Sequence, residues 1–194
     1  MPDLKLAIIL GSTRPGRNGK AVADWVLERA ADRPGAAYEL IDLLDHPLPH
    51  IDEPVPPSMG RYAAEHTKDW SRTVAAFDGF VFVTPEYNHS TSGALKNAID
   101  FIYGEWNNKA AALISYGVHG GVRAAEHLRL VLGELQIADV RQQVSFAFAT
   151  DFVNYKDFAP TGGQEAQLTT QLDQLVSWAG ALQTVRAQKL AAAA

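Results

Sequence analysis

Residues 79–103 read GFVFVTPEYNHSTSGALKNAIDFIY and contain three kinds of segment in succession. Gly79–Thr84 is an unbroken apolar run with the length of a strand. The next residues supply proline, carboxylate, amide and hydroxyl groups, which indicate a loop. Apolar side chains then recur at spacings of three and four, which predicts a helix. They are Leu95, Ala98, Ile99 and Ile102.

The same alternation of apolar runs and segments of helical period continues along the chain. Strands are predicted at Lys5–Leu10, Tyr38–Leu43, Gly79–Thr84 and Lys109–Ser115, with a shorter fifth around Val140–Phe148. Helices are predicted at Lys20–Asp32, Gly60–Phe77, Gly93–Tyr103, Gly121–Gln136 and Gln164–Arg186. Strands that are apolar on both faces need helices on both sides, because each parallel crossover returns through a helix. We therefore expect a three-layer, doubly wound α/β sandwich around a five-stranded parallel sheet.

Right-handed crossovers favour the flavodoxin-like strand order 2-1-3-4-5. In this order the winding reverses near strands one, three and four, and ligands bind outside the carboxyl ends of those strands. The corresponding loops are Gly11–Gly19, Pro85–Ser92 and Tyr116–Gly121. Functional residues are therefore expected in these three loops.

Length and composition fit one globular domain, with 194 residues of which 47% are hydrophobic and 20% charged. The 17 basic and 22 acidic side chains give a net charge of −5, which argues against nucleic acid or an anionic membrane as partner and favours a small molecule. Since the chain has no cysteine, redox chemistry would need a bound cofactor. The first residues show no secretory pattern, so we expect a cytoplasmic protein.

One domain is predicted over residues 1–187. The tail 188–194 ends in four alanines and lacks amphipathic periodicity. We interpret it as a vector-derived segment or a frayed helix end.

The loop after strand one has the features of an anion site. A helix starts just after Asn18 or Gly19, so unpaired N–H groups and the positive end of its dipole face the loop. The hydroxyls of Ser12 and Thr13 can donate hydrogen bonds, and Arg14 can bind a phosphate through two of them. Neither a dinucleotide fingerprint nor a Walker loop is present. The alternative is a solvated glycine-rich turn with surface arginines.

The other two loops have residues suited to a flat heteroaromatic ligand. Pro85, Tyr87 and Asn88 offer a rigid ring, an aromatic face and a two-sided amide. Glu86 either orients its neighbours or stays hydrated. The third loop contains three glycines, which allow positive φ angles and close approach of the backbone to a ligand. They are Gly117, Gly120 and Gly121.

Other catalytic chemistry is weakly supported. His119 is a candidate general acid, although a loop histidine is more often a surface residue and water can supply the proton. The six histidines show no i, i+4 pair on a helix, so no metal site is expected. Ser115 has no evident base beside it, and no nucleophile elbow occurs.

Four motifs in this order resemble the NAD(P)H-dependent FMN reductases, a flavodoxin-like family that includes quinone, azo-dye and chromate reductases. The motifs are GSTR at 11–14, PEYN at 85–88, GALKNAID at 93–100 and SYGVHGG at 115–121. The resemblance covers roughly Lys5 to Leu182. Tyr116-Gly117 departs from the family pattern, in which a proline or other small residue is frequent.

The resemblance implies bound FMN, with NADPH or NADH as electron donor. Ser12, Arg14 and the backbone near Asn18 would hold the phosphate, Pro85 to Asn88 would line the isoalloxazine, and Gly117 and Gly120 would let the third loop approach the ring. Hydride would reach the flavin N5 and electrons would pass to a quinone, azo compound, free flavin or similar acceptor, with no side chain assigned a catalytic step. The expected cofactor-binding residues are Ser12, Arg14, Arg17, Asn18, Pro85, Glu86, Tyr87, Asn88, Ser115, Gly117 and Gly120.

Two further interpretations stay open. One is a flavodoxin-type electron carrier that binds FMN without turning over a nicotinamide, and the other is a regulatory sensor of a phosphorylated ligand. The resemblance also implies a homodimer or homotetramer, with the Gly93–Tyr103 helix and the proline-rich loop Asp45–Met59 near the contact. Phe101, Tyr103 and Trp106 are expected to leave aromatic surface there.

Overall fold

The computed structural model describes residues 4–193. Its main sheet has five parallel strands in the order β2-β1-β3-β4-β5, which confirms the predicted fold and strand order. The strands are β1 (Leu4–Leu10), β2 (Ala36–Asp42), β3 (Gly79–Pro85), β4 (Lys109–Gly117) and β5 (Ile137–Ala147). The helices are α1 (Gly19–Ala30), α2 (Glu65–Ala75), α3 (Gly93–Asp100), α4 (Val122–Glu134), α5 (Phe148–Asp151) and α6 (Gly163–Ala193). A two-stranded hairpin, β6 (Phe152–Val153) and β7 (Asp157–Phe158), lies between α5 and α6.

The sheet separates two apolar cores because successive side chains of a strand point to opposite faces. In β1, Leu6 and Ile8 pack with α1 and α6, whereas Ala7 and Ile9 pack with α2, α3 and α4. Every residue of β3 and β4 is buried, as expected for central strands covered on both sides.

The predicted aromatic surface near the end of α3 is wrong. Phe101 and Trp106 are fully buried, and the Trp106 indole N–H donates to the carbonyl of Ile99 at 3.1 Å. The reason is that α3 ends at Asp100, so the following residues turn into the core through a 3-10 turn, Gly104–Trp106.

Strand β5 is longer than predicted. It is an edge strand, so polar residues on its open side do not interrupt it, and its register with β4 shifts between Ala111 and Leu113. The buried Gln171 amide of α6 fills this irregularity by donating to the carbonyls of Leu113 and Gln142, both at 2.8 Å. Backbone groups displaced from regular pairing thereby gain a partner.

Helix α6 continues through residues 188–193, where the tail was predicted. Residues 1–3 and 194, which the predicted domain and tail include, lie outside the described residues. Among residues 4–193, no helix is both long and apolar enough to cross a membrane.

Candidate functional site

The three loops predicted to act together do meet at the carboxyl edge of the sheet, where β1, β3 and β4 end. Strand register places Leu10 beside Val83 and Pro85 beside Tyr116. Backbone hydrogen bonds continue past the strands, with Gly11 N–H donating to Val83 at 2.9 Å and Glu86 N–H to Tyr116 at 3.0 Å. The loops therefore form one continuous surface.

The first loop carries a cation without an acidic partner. The Arg14 side chain is exposed, and its guanidinium carbon lies 5.8 Å from the centre of the Tyr87 ring. Within residues 4–193 it makes no ion pair. The buried Ser12 hydroxyl lies 3.0 Å from the Tyr87 hydroxyl, which links the first loop to the second.

Arg17 is engaged by the protein itself. Its guanidinium pairs with both carboxylate oxygens of Asp42 at the end of β2, one of them at 2.9 Å, and donates to the carbonyl of Ser12 at 2.5 Å. Arg17 therefore connects the first loop to the end of β2. Asp42 was not identified from the sequence, although β2 neighbours β1 and its last residue must lie beside this loop.

The amino end of α1 has a row of open donors. Within residues 4–193, no acceptor is present for the N–H groups of Asn18, Gly19, Lys20 and Ala21. Asn18 occupies the capping position, but its side chain makes no capping hydrogen bond. A helix start of this kind favours an anion through its N–H groups and its dipole.

Tyr116 reaches this helix start from β4. Its side chain is 3% exposed, and its hydroxyl lies against Gly19 so closely that a β-carbon at position 19 would collide with it. Within the described residues this hydroxyl has no hydrogen-bond partner that meets ordinary geometry. Burial raises the pKa of Tyr116, so the group stays protonated and can donate. The sequence shows Tyr116 as a departure from the family pattern, but no local pattern predicts its contact with Gly19.

The second loop is a tight turn. Tyr87 and Ser90 exchange two backbone hydrogen bonds, at 2.8 and 3.1 Å, around Asn88 and His89. Both central residues have positive φ, 48° and 75°, as in a type I′ turn. Asn88 is exposed in this turn, whereas Pro85 is buried at the end of β3.

Glu86 of the second loop is neutralised. Its carboxylate pairs with the Arg123 guanidinium and also accepts from the Arg123 backbone N–H at 3.2 Å. Its side chain is 8% exposed, so the interpretation as a hydrated surface carboxylate is wrong for this structure. Glu86 instead joins the second loop to the start of α4.

In the third loop, positive φ occurs at Gly120 (74°) and Gly121 (69°) but not at Gly117. A β-carbon at Gly121 would lie 2.7 Å from the backbone nitrogen of Tyr116, so only glycine fits. Gly117 is instead a close-approach position, where a β-carbon would lie 3.3 Å from that of Glu86. The third loop therefore packs closely against the end of β4.

Ser115 supports the third loop from inside. Its buried hydroxyl donates to the Gly120 carbonyl at 2.7 Å and accepts from the Gln143 amide at 3.2 Å. His119, by contrast, is exposed and hydrogen-bonds to no residue within 4–193. The three loops therefore offer hydrogen-bond donors and a surface for a ligand. Among the described residues, His119 is not held in place as a general acid.

Comparison with known proteins agrees with this geometry. A family model described as NADPH-dependent FMN reductase matches residues 4–151. The NAD(P)H-dependent FMN reductase ntnL of Nectria sp is 41% identical over 157 residues, which span 76% of this chain and 78% of that protein. The NAD(P)H-dependent FMN reductase C4B3.06c of Schizosaccharomyces pombe is 45% identical over 135 residues, 69% of this chain and 68% of that protein.

The solved structure of the flavoenzyme NAD(P)H:(acceptor) oxidoreductase FerB from Paracoccus denitrificans superimposes with a TM-score of 0.71. It covers 91% of this chain and 97% of its own at 23% identity, a likeness that shows the fold. The sequence matches to the family model and to the fungal proteins go further: the chain belongs to the NADPH-dependent FMN reductase family.

Proposed function

We propose that the protein is an FMN-dependent oxidoreductase that passes hydride from NAD(P)H through bound FMN to a small acceptor such as a quinone, an azo compound or free flavin. The observation that carries the proposal is the open, donor-rich start of α1 beside a folded aromatic and amide wall at one sheet edge. Relatives support the acceptor classes: a 2-hydroxy-1,4-benzoquinone reductase of Burkholderia sp is 31% identical, and an FMN-dependent NADPH-azoreductase of Staphylococcus haemolyticus is 32% identical.

The residues present fit the phosphate of FMN. A phosphomonoester carries about two negative charges at neutral pH and accepts several hydrogen bonds. The start of α1, the Ser12 hydroxyl and the Arg14 guanidinium can supply such donors. The buried Tyr116 hydroxyl, which has no partner among residues 4–193, lies against Gly19 at this helix start and can donate a further hydrogen bond.

The flavin ring would lie between the second and third loops. Pro85 to Asn88 form one wall. The other wall is backbone, because the glycines at 117, 120 and 121 have no side chains. The contact between Ser12 and Tyr87 connects the ring wall to the phosphate loop, so one ligand can engage both. Because Asp42 and Glu86 are each paired with an arginine, these two carboxylates are neutralised beside an anionic ligand.

When bound, FMN supplies the exchange of a hydride and electrons that no side chain of this chain can perform. The chain's own contribution is to bind the phosphate, to orient the ring and to leave one side open. We assign no side chain a proton transfer, because His119 is exposed and water is available to it.

An absorption spectrum of the purified protein followed by anaerobic mixing with NADPH or NADH tests the proposal. We expect a yellow protein whose flavin band bleaches within seconds and returns when a quinone is added. Colour that persists with either nucleotide would indicate an electron carrier of the flavodoxin type. A protein that does not bind FMN would contradict both functions.

We also propose a homodimer or homotetramer. The aromatic residues after α3 do not support it, since Phe101 and Trp106 are buried. Support comes from the proline-rich segment, where Leu44, Ile51 and Met59 are about half exposed, and from the family resemblance. Sedimentation equilibrium at low concentration measures this directly, and a stable monomer would contradict it.

We place the protein in the cytoplasm, where nicotinamide donors are available, and assign FMN binding to a single domain over residues 1–187. A variant ending at residue 187 should fold and bind FMN with wild-type affinity. Fractionation of the cells that express the protein would test the location.

A further inference from the structure

Asn18 behaves unlike an ordinary capping residue. Asparagine is among the preferred residues at the start of a helix, because its side-chain oxygen accepts an N–H of the first turn from an extended backbone. Here Asn18 has helical angles, φ −73° and ψ −21°, and caps nothing. Its side-chain amide instead donates to the backbone carbonyl of Tyr155 at 3.0 Å.

The partner carbonyl lies at the tip of the β6–β7 hairpin, defined here as Phe152–Phe158. Lys156 N–H donates to the carbonyl of Val153 at 3.1 Å, and the two residues between them, Asn154 and Tyr155, have φ of 55° and 59°. A two-residue turn of this type favours glycine at its second position. A tyrosine held at positive φ is strained, and such strain persists only where surrounding contacts hold it.

The hairpin is fixed to the same helix that it contacts at its tip. The Phe158 ring packs edge-on against Trp25 of α1, with ring centres 6.1 Å apart, and lies 5.1 Å from the Phe152 ring. At its base the buried Asp151 carboxylate accepts from the Ala147 N–H at 2.8 Å and from the Gln164 amide at 2.7 Å. The tip is therefore held at a set distance from the start of α1.

This hairpin lies outside the shared family segment, since the family match ends at residue 151. The residues that the family model matches therefore do not include the partner of Asn18. The contact matters for the backbone N–H groups of residues 18–21, which have no acceptor within residues 4–193.

We infer that the β6–β7 hairpin is a positioning element for the phosphate site. The Tyr155 carbonyl holds the Asn18 side chain away from α1, so the asparagine does not cap the helix and its N–H groups stay open for the ligand's phosphate. Without this contact, the backbone at Asn18 would be free to become extended, and its side-chain oxygen could then accept hydrogen bonds from those N–H groups. This inference rests on the proposed binding of FMN at the same loop.

The test compares FMN with riboflavin, which has the same ring but no phosphate. Dissociation constants of the full-length, flavin-free protein are measured by quenching of flavin fluorescence. Tyr155→Pro cannot adopt the positive φ and breaks the turn, whereas Tyr155→Gly keeps both the turn and the carbonyl. Each is made in the wild-type and in the Asn18→Ala background.

We expect Tyr155→Pro to weaken FMN binding about tenfold, the factor that corresponds to ~1.4 kcal/mol, with riboflavin binding unchanged. Tyr155→Gly should bind FMN like the wild type. In the Asn18→Ala background, where no side chain can compete for the helix, Tyr155→Pro should have no further effect. This dependence on Asn18 separates the mechanism from a general loss of structure.

Wild-type FMN affinity in Tyr155→Pro, or an equal loss in the Asn18→Ala background, would overturn the inference. If Tyr155→Pro does not fold, Asn18→Ser and Asn18→Ala serve instead, because serine is a good neutral cap and alanine is not. Asn18→Ser should bind FMN more weakly than Asn18→Ala, and equal or tighter binding would overturn the inference. Wild-type protein that binds riboflavin as tightly as FMN would overturn the proposed phosphate site itself, which the wild-type measurement alone reveals.

Discussion

The two edges of the central sheet carry similar polar residues but satisfy them differently. At the amino edge, Asp78 accepts the Lys5 backbone N–H at 3.0 Å and pairs with Arg186 of α6. The Lys109 ammonium is buried there and donates to the carbonyl of Val74 at the end of α2, at 2.9 Å. Each of these charged groups has an internal partner, which ties α6 and α2 to the sheet.

At the carboxyl edge Arg17 pairs with Asp42 and Glu86 with Arg123, but other polar groups have no partner among the described residues. Arg14 makes no ion pair within residues 4–193, the first N–H groups of α1 have no acceptor there, and the Tyr116 hydroxyl is buried without a partner. Buried or helix-terminal polar groups are nearly always satisfied in folded proteins. The charged groups at the amino edge therefore stabilise the fold, whereas several donors at the carboxyl edge stay available for a ligand.

The largest expected effect is at the amino edge. Asp78→Ala leaves Arg186 without its partner in a site where both side chains are about one-fifth exposed, which should lower the free energy of unfolding by about 3 kcal/mol. FMN affinity should not change, because the loops are at the opposite edge. Urea denaturation and flavin titration measure the two quantities, and unchanged stability would show that the Asp78–Arg186 pair does not stabilise the fold.

The next effect is at the carboxyl edge. Arg14→Ala removes a charge-assisted contact and should weaken FMN binding by about 1.5–3 kcal/mol, roughly ten- to a hundredfold, with little change in stability. The matched control is Arg141→Ala, since Arg141 is an exposed arginine on β5, away from the three loops. Equal FMN affinities in the two variants would remove Arg14 from the phosphate site.

A pH effect should distinguish the amino edge further. Burial lowers the pKa of Lys109 from 10.5 to about 8. Between these values the unfolded chain binds more protons than the folded protein, so the contribution of Lys109 to stability rises with pH, by an amount on the order of 1–2 kcal/mol.

The Lys109→Met variant should lack this rise. Denaturation of both proteins from neutral pH to the onset of tyrosine ionisation gives the difference in their slopes. If the stability of the wild type and of Lys109→Met changed in parallel with pH, a lowered pKa of Lys109 would be contradicted.

The smallest effect is expected for Tyr116→Phe. Removing a buried hydroxyl that has no partner within residues 4–193 should leave the flavin-free protein as stable as before or more stable by up to about 1 kcal/mol. Thermal unfolding measures it, with Ser115→Ala as the contrast, because the Ser115 hydroxyl is hydrogen-bonded and its loss should destabilise. A destabilised Tyr116→Phe variant would show that the hydroxyl is already satisfied.

Sequence patterns were sufficient for the sheet and for the meeting of three loops. The apolar runs of β1, β3 and β4 fix which strands are central, and parallel crossovers then place their carboxyl ends side by side. A cap at the start of α3 also follows a local rule: the Ser92 hydroxyl accepts the Leu95 N–H at 3.1 Å, and serine is a preferred residue at that position. These features depend on local periodicity or on topology alone.

Contacts between distant residues could not be read in the same way. The pairing of Arg17 with Asp42 and of Glu86 with Arg123 depends on side-chain positions that no local pattern encodes. The burial of Trp106 follows from where α3 ends, and helix ends are poorly marked in this sequence. The roles of Arg17, Glu86 and the other expected cofactor-binding residues stay predictions.

A structure of the protein with FMN bound tests the central claim most directly. We expect the phosphate within hydrogen-bond distance of the first N–H groups of α1 and of Arg14, and the ring between the turn at Asn88 and the glycines of the third loop. A phosphate bound elsewhere, for example in the groove lined by His46, Leu48 and Asn97, would contradict the account.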